Sequence, residues 1–225
     1  MNQFGLPFEW PAEDLTDFIV SPSNDAAVRQ LEAWGNWPVR ACLLVGPRKS
    51  GKSLLGRIFA SRSSGVIIDN AETRPEQDIF HAWNQAQENR IPLLVVADQA
   101  PPEWSIRLPD LRSRLQATPI ARIGNPDLLL AEALLTKLLE KRGLAVLPEI
   151  VAYAAQRLER SHVALLRAAD AIDVASLSQK RAISLPLVRD ALHLAGLIDR
   201  DGRRREKSAD DAGHTDRGNE PWPRA

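Results

Sequence analysis

The stretch Ala41-Cys-Leu-Leu-Val-Gly-Pro-Arg-Lys-Ser-Gly-Lys-Ser53 decides how this chain folds. Its first five residues form an unbroken apolar run of strand length, as expected for a parallel strand covered on both faces. The run feeds directly into Gly46, and Ser53 to Ser61 beyond the loop reads as a helix. A G-x-x-x-x-G-K-S pattern between strand and helix is a phosphate cradle. Its glycines let backbone N–H groups turn inward at a helix N-terminus, its lysine reaches the β and γ phosphates, and its last hydroxyl ligates Mg²⁺. Gly46, Pro47, Arg48, Lys49, Ser50, Gly51, Lys52 and Ser53, with Leu54 behind them, are therefore the expected nucleotide seat.

Upstream, Asn24 to Trp34 places Ala27, Val28, Leu31 and Trp34 at the i, i+3, i+4, i+7 spacing of an amphipathic helix, with Asn24 or Asp25 as cap. Downstream, Val66-Ile-Ile-Asp69 reads as a second buried strand, 76–89 as a helix, Leu93-Leu-Val-Val-Ala97 as a third strand and Ile120-Ala-Arg-Ile123 as a fourth. Strand and helix alternate, which predicts an α/β fold with a parallel sheet. The composition shifts at Gly124. Asn125 as cap and Pro126 at the first turn start a Leu-rich helix that runs to about Arg142 and ends at Gly143. Pro148 opens another helix, Ser161 caps a third that reaches about Lys180, and a fourth runs from Pro186 to Ala195 before Gly196. The expected organisation is an extended arm at 1–12, an α/β domain at 13–124, a helical unit at 125–199 and a polar, disordered tail at 200–225.

Lys plus Arg equal Asp plus Glu at 29 each, so no global positive field favours nonspecific nucleic-acid binding. The single cysteine, Cys42, lies in an apolar run without an internal partner, which fits a reducing compartment. No segment reads as a signal peptide or membrane span, so the expectation is a cytoplasmic protein. His81, His162, His193 and His214 are far apart and have no ligand-spaced partner, so a metal site other than Mg²⁺ lacks support.

Phosphate-bound Mg²⁺ also calls for an acid at a strand end, and both Asp69 and Asp98 qualify. If Asp98 held the metal, only 15 residues would separate it from Arg114, too few for another strand-helix-strand excursion before the basic cluster at Arg112 and Arg114. Chain order therefore favours Asp69, with Asp98 as a polar sensor or a solvated strand-end acid. Asn70 stands where many ATPases place the carboxylate that orients the attacking water, and an amide cannot take a proton. Slow intrinsic hydrolysis is expected, whether Asn70 faces the water or caps a turn; Glu72 is the alternative base. Arg112 and Arg114 are either a solvated basic turn or, in Arg114, an arginine finger acting in trans on a neighbour's γ-phosphate. Arg157, Arg160 and Arg167 are further arginines of the helical unit that would face the nucleotide or solvent.

With these pieces placed, residues 1 to about 199 resemble the Hda family, the DnaA-related regulatory inactivators, which are short AAA+ relatives of the bacterial replication initiator DnaA. The resemblance is carried by 17–24, the loop 46–53, Ile68-Asp-Asn-Ala-Glu72 and 108–115, and the Ile-Asp-Asn form is nearer to the inactivators than to the initiators. It implies an AAA+ domain followed by a helical lid, bound ADP or ATP with Mg²⁺, and an adenine pocket that includes Phe18, Val20 and Asn24. The lid arginine expected of the family falls at Ala164, and Arg167, one turn on, is its candidate substitute. Only 15 residues lie between Ser53 and Asp69, where relatives have an extra helix and strand, so the sheet is expected to lack one strand.

The arm Gln3-Phe4-Gly5-Leu6-Pro7-Phe8 resembles the peptide by which many replication proteins bind the sliding clamp, the DNA polymerase beta subunit. A Gln and a few apolar anchors supply the affinity of such a segment. The initiator's DNA-binding helix-turn-helix domain would follow the helical unit, where only polar sequence stands, so direct sequence-specific DNA binding is not expected. The resemblance thus implies a nucleotide-bound adaptor that rides the DNA-loaded clamp and triggers hydrolysis of DnaA-bound ATP. The competing readings are a stand-alone P-loop ATPase or kinase, and a loader or scaffold that does not act on DnaA.

Overall fold

A computed structural model describes residues 18–179 and 183–203. A first helix, α1 (Asp25–Glu32), is followed by a short 3-10 turn and by β1 (Ala41–Val45), the phosphate-loop strand. Next come α2 (Lys52–Ser63), β2 (Val66–Ile68), α3 (Glu76–Asn89), β3 (Leu93–Ala97), α4 (Pro109–Ala117) and β4 (Ile120–Arg122). The strands form one parallel sheet in the order β2-β3-β1-β4. Every side chain of β1 and β3 is buried, which is why both read as continuous apolar runs. Alternate residues feed two cores. Cys42, Leu44, Leu94 and Val96 pack on Leu31, Leu55 and Phe59 of α1 and α2; Leu43, Val45, Leu93 and Val95 pack on Ile79, Leu111 and Leu115 of α3 and α4.

The sheet has four strands, as the short Ser53–Asp69 interval predicts. Helix α2 ends at Ser63 and β2 begins at Val66, so Ser64 and Gly65 are the whole connection. The missing strand leaves β2 at the edge with Val66 half exposed, whereas the sequence predicts a buried strand. The segment at 108–115, for which the sequence leaves a solvated basic turn and a finger arginine open, forms helix α4. One further expectation needs correction. The Leu-rich helix is capped by Asp127, whose side chain accepts from the Leu130 N–H at 2.8 Å, and not by Asn125. At α1, Asn24 occupies the cap position without capping through its side chain: its Oδ1 accepts from the Ser21 N–H and its Nδ2 donates to the Ile19 carbonyl, closing the turn before the helix.

Beyond β4 lie α5 (Leu128–Glu140), α6 (Pro148–Arg157), α7 (His162–Gln179) and α8 (Leu185–Leu194). They close around their own core, in which Leu135, Leu139, Leu158, Leu165 and Ile172 are almost fully buried. Ser161 caps α7 through the Ala164 N–H as its sequence suggests. The helical unit is fastened to the α/β unit where the Gly124 N–H donates to the Ser23 carbonyl at 2.9 Å and the Ser23 N–H donates to Asp127 at 3.3 Å. That seam lies beside the phosphate loop.

Candidate nucleotide site

The register of the sheet sets the site. Val45 pairs with Ala97, so Gly46 and Asp98 leave adjacent strands side by side, and Ile68 pairs with Val95, so Asp69 emerges one strand further out. All three lie at the carboxyl ends of parallel strands, where α/β sheets bind ligands. Gly46 passes so close to the end of β4 that a Cβ there would meet the Ile123 carbonyl oxygen at 2.8 Å. Lys49 and Gly51 have φ of 65° and 86°, the left-handed region that turns the loop back onto the helix axis. Lys52 starts α2, whose first turn has no intrahelical acceptors for its N–H groups and no acidic side chain.

The Lys52 ammonium is nearly buried and bridges the site. It donates to the carbonyls of Gly46 at 2.7 Å and Pro47 at 2.9 Å, and pairs with Asp98 Oδ1 at 2.9 Å. The loop from Arg48 to Ser53 and the strand-end residues Asp69, Asn70, Glu72 and Asp98 face one another across a cleft of about 840 Å³. This arrangement fits a magnesium nucleotide: free helix-terminal donors and a held ammonium for the phosphates, with Ser53 and one carboxylate for a cation that keeps most of its ligands as water and phosphate oxygen. Both candidate acids line the cleft; Asp98 is bound to Lys52, while Asp69 Oδ1 accepts from the Asn70 N–H beside it.

Asn70 stands at the cleft and also starts the turn that follows β2. The residue belongs to the cleft lining, and its backbone, at φ 51°, starts a 3-10 turn in which its carbonyl accepts from the Thr73 N–H and hydroxyl. Glu72 is tied to the backbone N–H groups of Asp98 and Gln99, so its carboxylate spans the strand end instead of standing free.

A second pocket of about 120 Å³ adjoins the first through Lys49, Ser50 and Gly51. Phe18, Ile19 and Asn24 form one wall, Leu54 another, and lid residues Leu130, Leu134, Leu138, His162, Leu165 and Leu166 close it. Val20 does not enter this wall. It is 54% exposed, because the extended chain alternates its side chains and turns Ile19 inward. Arg167 also lies outside both linings and donates to the Ala195 carbonyl at 3.2 Å. Arg157 stacks on Tyr153 at 3.8 Å, and Arg160 lines neither pocket. The polar lid residue in this lining is His162, 6% exposed, at the first position of α7. Sequence reading passes over it as a lone histidine; its place at a lid helix N-terminus, two residues before Ala164, is the available signal.

Arg114 lies away from the cleft, on α4. Its guanidinium sits over Phe80 at 4.2 Å and Trp83 at 5.2 Å, both on α3, while Arg112 donates to the Ile106 carbonyl. Gln3, Phe4, Leu6, Pro7 and Phe8 lie outside the described residues. No described helix is long and apolar enough to cross a membrane.

Residues 131–192 match the family model for the lid domain of Hda. The structure superposes on domain III of the replication initiation protein DnaA from Thermotoga maritima with a TM-score of 0.69, at 16% identity, over 84% of this chain and 98% of that one. It also resembles a mutant of RuvB from Thermotoga maritima, with a TM-score of 0.60 and 17% identity over 85% of this chain and 75% of that one. The parallel sheet with the phosphate loop at its carboxyl edge therefore has the fold of DnaA domain III and RuvB, and the helical unit that follows it carries the match to the lid domain of Hda.

Proposed function

We propose that the chain is a negative regulator of chromosomal replication initiation. In this reading it binds ADP or ATP with Mg²⁺, docks on the DNA-loaded sliding clamp through Gln3, Phe4, Leu6, Pro7 and Phe8, and stimulates hydrolysis of the ATP bound to DnaA. The observation that carries it is the pairing of an Hda-type lid with a cleft that has an amide, Asn70, beside Asp69. An amide orients water but accepts no proton, and Glu72 is engaged by two backbone donors, so the site favours holding nucleotide over turning it over. That weighs against the stand-alone ATPase or kinase.

Arg114 is the proposed finger in trans. A guanidinium laid on aromatic faces keeps its charge and its in-plane donors while losing rotamer freedom, which suits a group that must meet a partner's phosphate in one orientation. The test is the rate of ATP hydrolysis by DnaA with DNA-loaded clamp, for intact protein, for Arg114→Ala and for a triple alanine variant at Gln3, Leu6 and Phe8. Intact protein should accelerate hydrolysis, Arg114→Ala should lose about 10³-fold or more of the acceleration, and the arm variant should lose it only where clamp loading is required. No acceleration by the intact protein, or full activity in both variants, overturns the reading.

A further inference from the structure

Three buried side-chain polar atoms among the described residues lack a hydrogen-bond partner: Ser50 Oγ, His162 Nδ1 and Arg114 Nη1. Two of them, on Ser50 and His162, belong to residues that line the same 120 Å³ pocket, one from the phosphate loop and one from the lid. A buried polar atom without a partner costs about 1–3 kcal/mol, so two in the walls of one cavity mark groups meant for something that fills it. The other walls are mostly leucine, with Phe18, and the pocket is far smaller than a whole-ligand site, so it suits the flat, largely apolar half of a nucleotide.

We propose that His162, with Ser50 of the phosphate loop, is the lid's hydrogen-bonding contact to the nucleoside half of the bound nucleotide, and that the lid is therefore blind to the γ-phosphate. This rests on the nucleotide reading of the phosphate loop. An imidazole serves this purpose because it offers one donor and one acceptor when neutral. Burial, and secondarily the charge of Lys52, hold its pKa below the ordinary histidine value, which keeps the ring uncharged at neutral pH. Arg167, the candidate lid arginine for the phosphates, is turned to the Ala195 carbonyl and lies outside this pocket's lining.

Calorimetric titration of the full chain with Mg-ADP and with Mg-ATP tests the proposal, using His162→Leu, His162→Gln, Ser50→Ala and, as a control on the phosphate loop, Lys52→Ala. His162→Leu should weaken ADP and ATP by the same factor, about tenfold. Ser50→Ala should also weaken both, and His162→Gln should recover part of the loss. Melting without nucleotide separates lost contacts from lost folding: His162→Leu and Ser50→Ala remove an unpartnered buried atom and should melt no lower than the parent; if His162→Leu melts early, the Gln and Ser50 variants decide. Selective loss of ATP would make His162 a phosphate reader and overturn the proposal. Unchanged binding in the His162 and Ser50 variants, with Lys52→Ala impaired, overturns it while leaving the nucleotide site intact. Absence of binding by the intact protein removes the nucleotide reading itself, and this inference with it.

Discussion

At the residue scale, two positions are fixed by contacts that no propensity describes. Gly46 is one. A methyl group there would come within 2.8 Å of the Ile123 carbonyl oxygen and 2.9 Å of its Cβ, so the loop or the end of β4 must move. Gly46→Ala should lower nucleotide affinity by about tenfold or more, with a drop in melting temperature, read by titration and thermal unfolding; unchanged affinity would show that the loop gives way freely. Asp127 is the other. It caps α5 at the Leu130 N–H and also accepts from the Ser23 N–H, tying the lid to the segment beside the nucleoside-sized pocket. The sequence offers Asn125 and Pro126 as an equally good start, and only the reach to Ser23, distant along the chain, selects Asp127. The Leu130 bond is the largest influence on its carboxyl and lowers its pKa; partial burial opposes, and Ser21 and Ser23 reinforce the lowering. Stability from this group is therefore present above the ordinary carboxylate pKa and is lost as pH falls through the lower folded value. Asp127→Ala should cost about 1 kcal/mol at neutral pH, and the difference from the parent should shrink in acid denaturation profiles as the pH falls below about 4. A difference that stays constant on acidification would show that the carboxylate's charge contributes nothing.

At the element scale, β1, β3 and α3 are legible to the residue because their signals are unmixed: two uninterrupted apolar runs and one clean helical period. Helix α4 is not. Of Pro109–Ala117 only Leu111 and Leu115 are buried, and the rest of the segment is mostly polar, so its pattern reads as a turn until α3 and the sheet supply the other side. The same packing gives Arg114 its setting, since Phe80 and Trp83 share a face of α3 and Trp83 Nε1 donates to Thr118 just past the end of α4. Phe80→Leu keeps the apolar contact but removes the ring beneath the guanidinium. If Arg114 acts in trans, this variant should stimulate DnaA hydrolysis less than the parent while losing only about 0.5–1 kcal/mol of stability. Full stimulation by Phe80→Leu would show that the stacking does not present the finger.

At the scale of the whole molecule, the sheet unit and the lid each have a complete core, and the buried clusters do not merge. What joins them is the short segment after β4, the bonds at Ser23, and a pocket whose walls come from both units. The division at Gly124 is visible as a change in composition, but the pocket is not, because Phe18 and Leu165 are brought together only by the fold. Such a seam makes the lid's stability dependent on what fills it. Without nucleotide, the two units should unfold in separable steps, the lid having few contacts to lose with the sheet. With Mg-ADP at about a hundred times its dissociation constant, binding should add about 2.7 kcal/mol to any state that needs both walls. The lid transition should then rise and merge with that of the sheet unit in differential scanning calorimetry. His162→Leu should keep the transitions apart at the same ADP concentration, since it removes the lid's polar contact while leaving the phosphate loop in place. A single transition already present without ligand, or a rise confined to the sheet unit, would mean that the lid gains its order from elsewhere and that the seam does not transmit nucleotide occupancy.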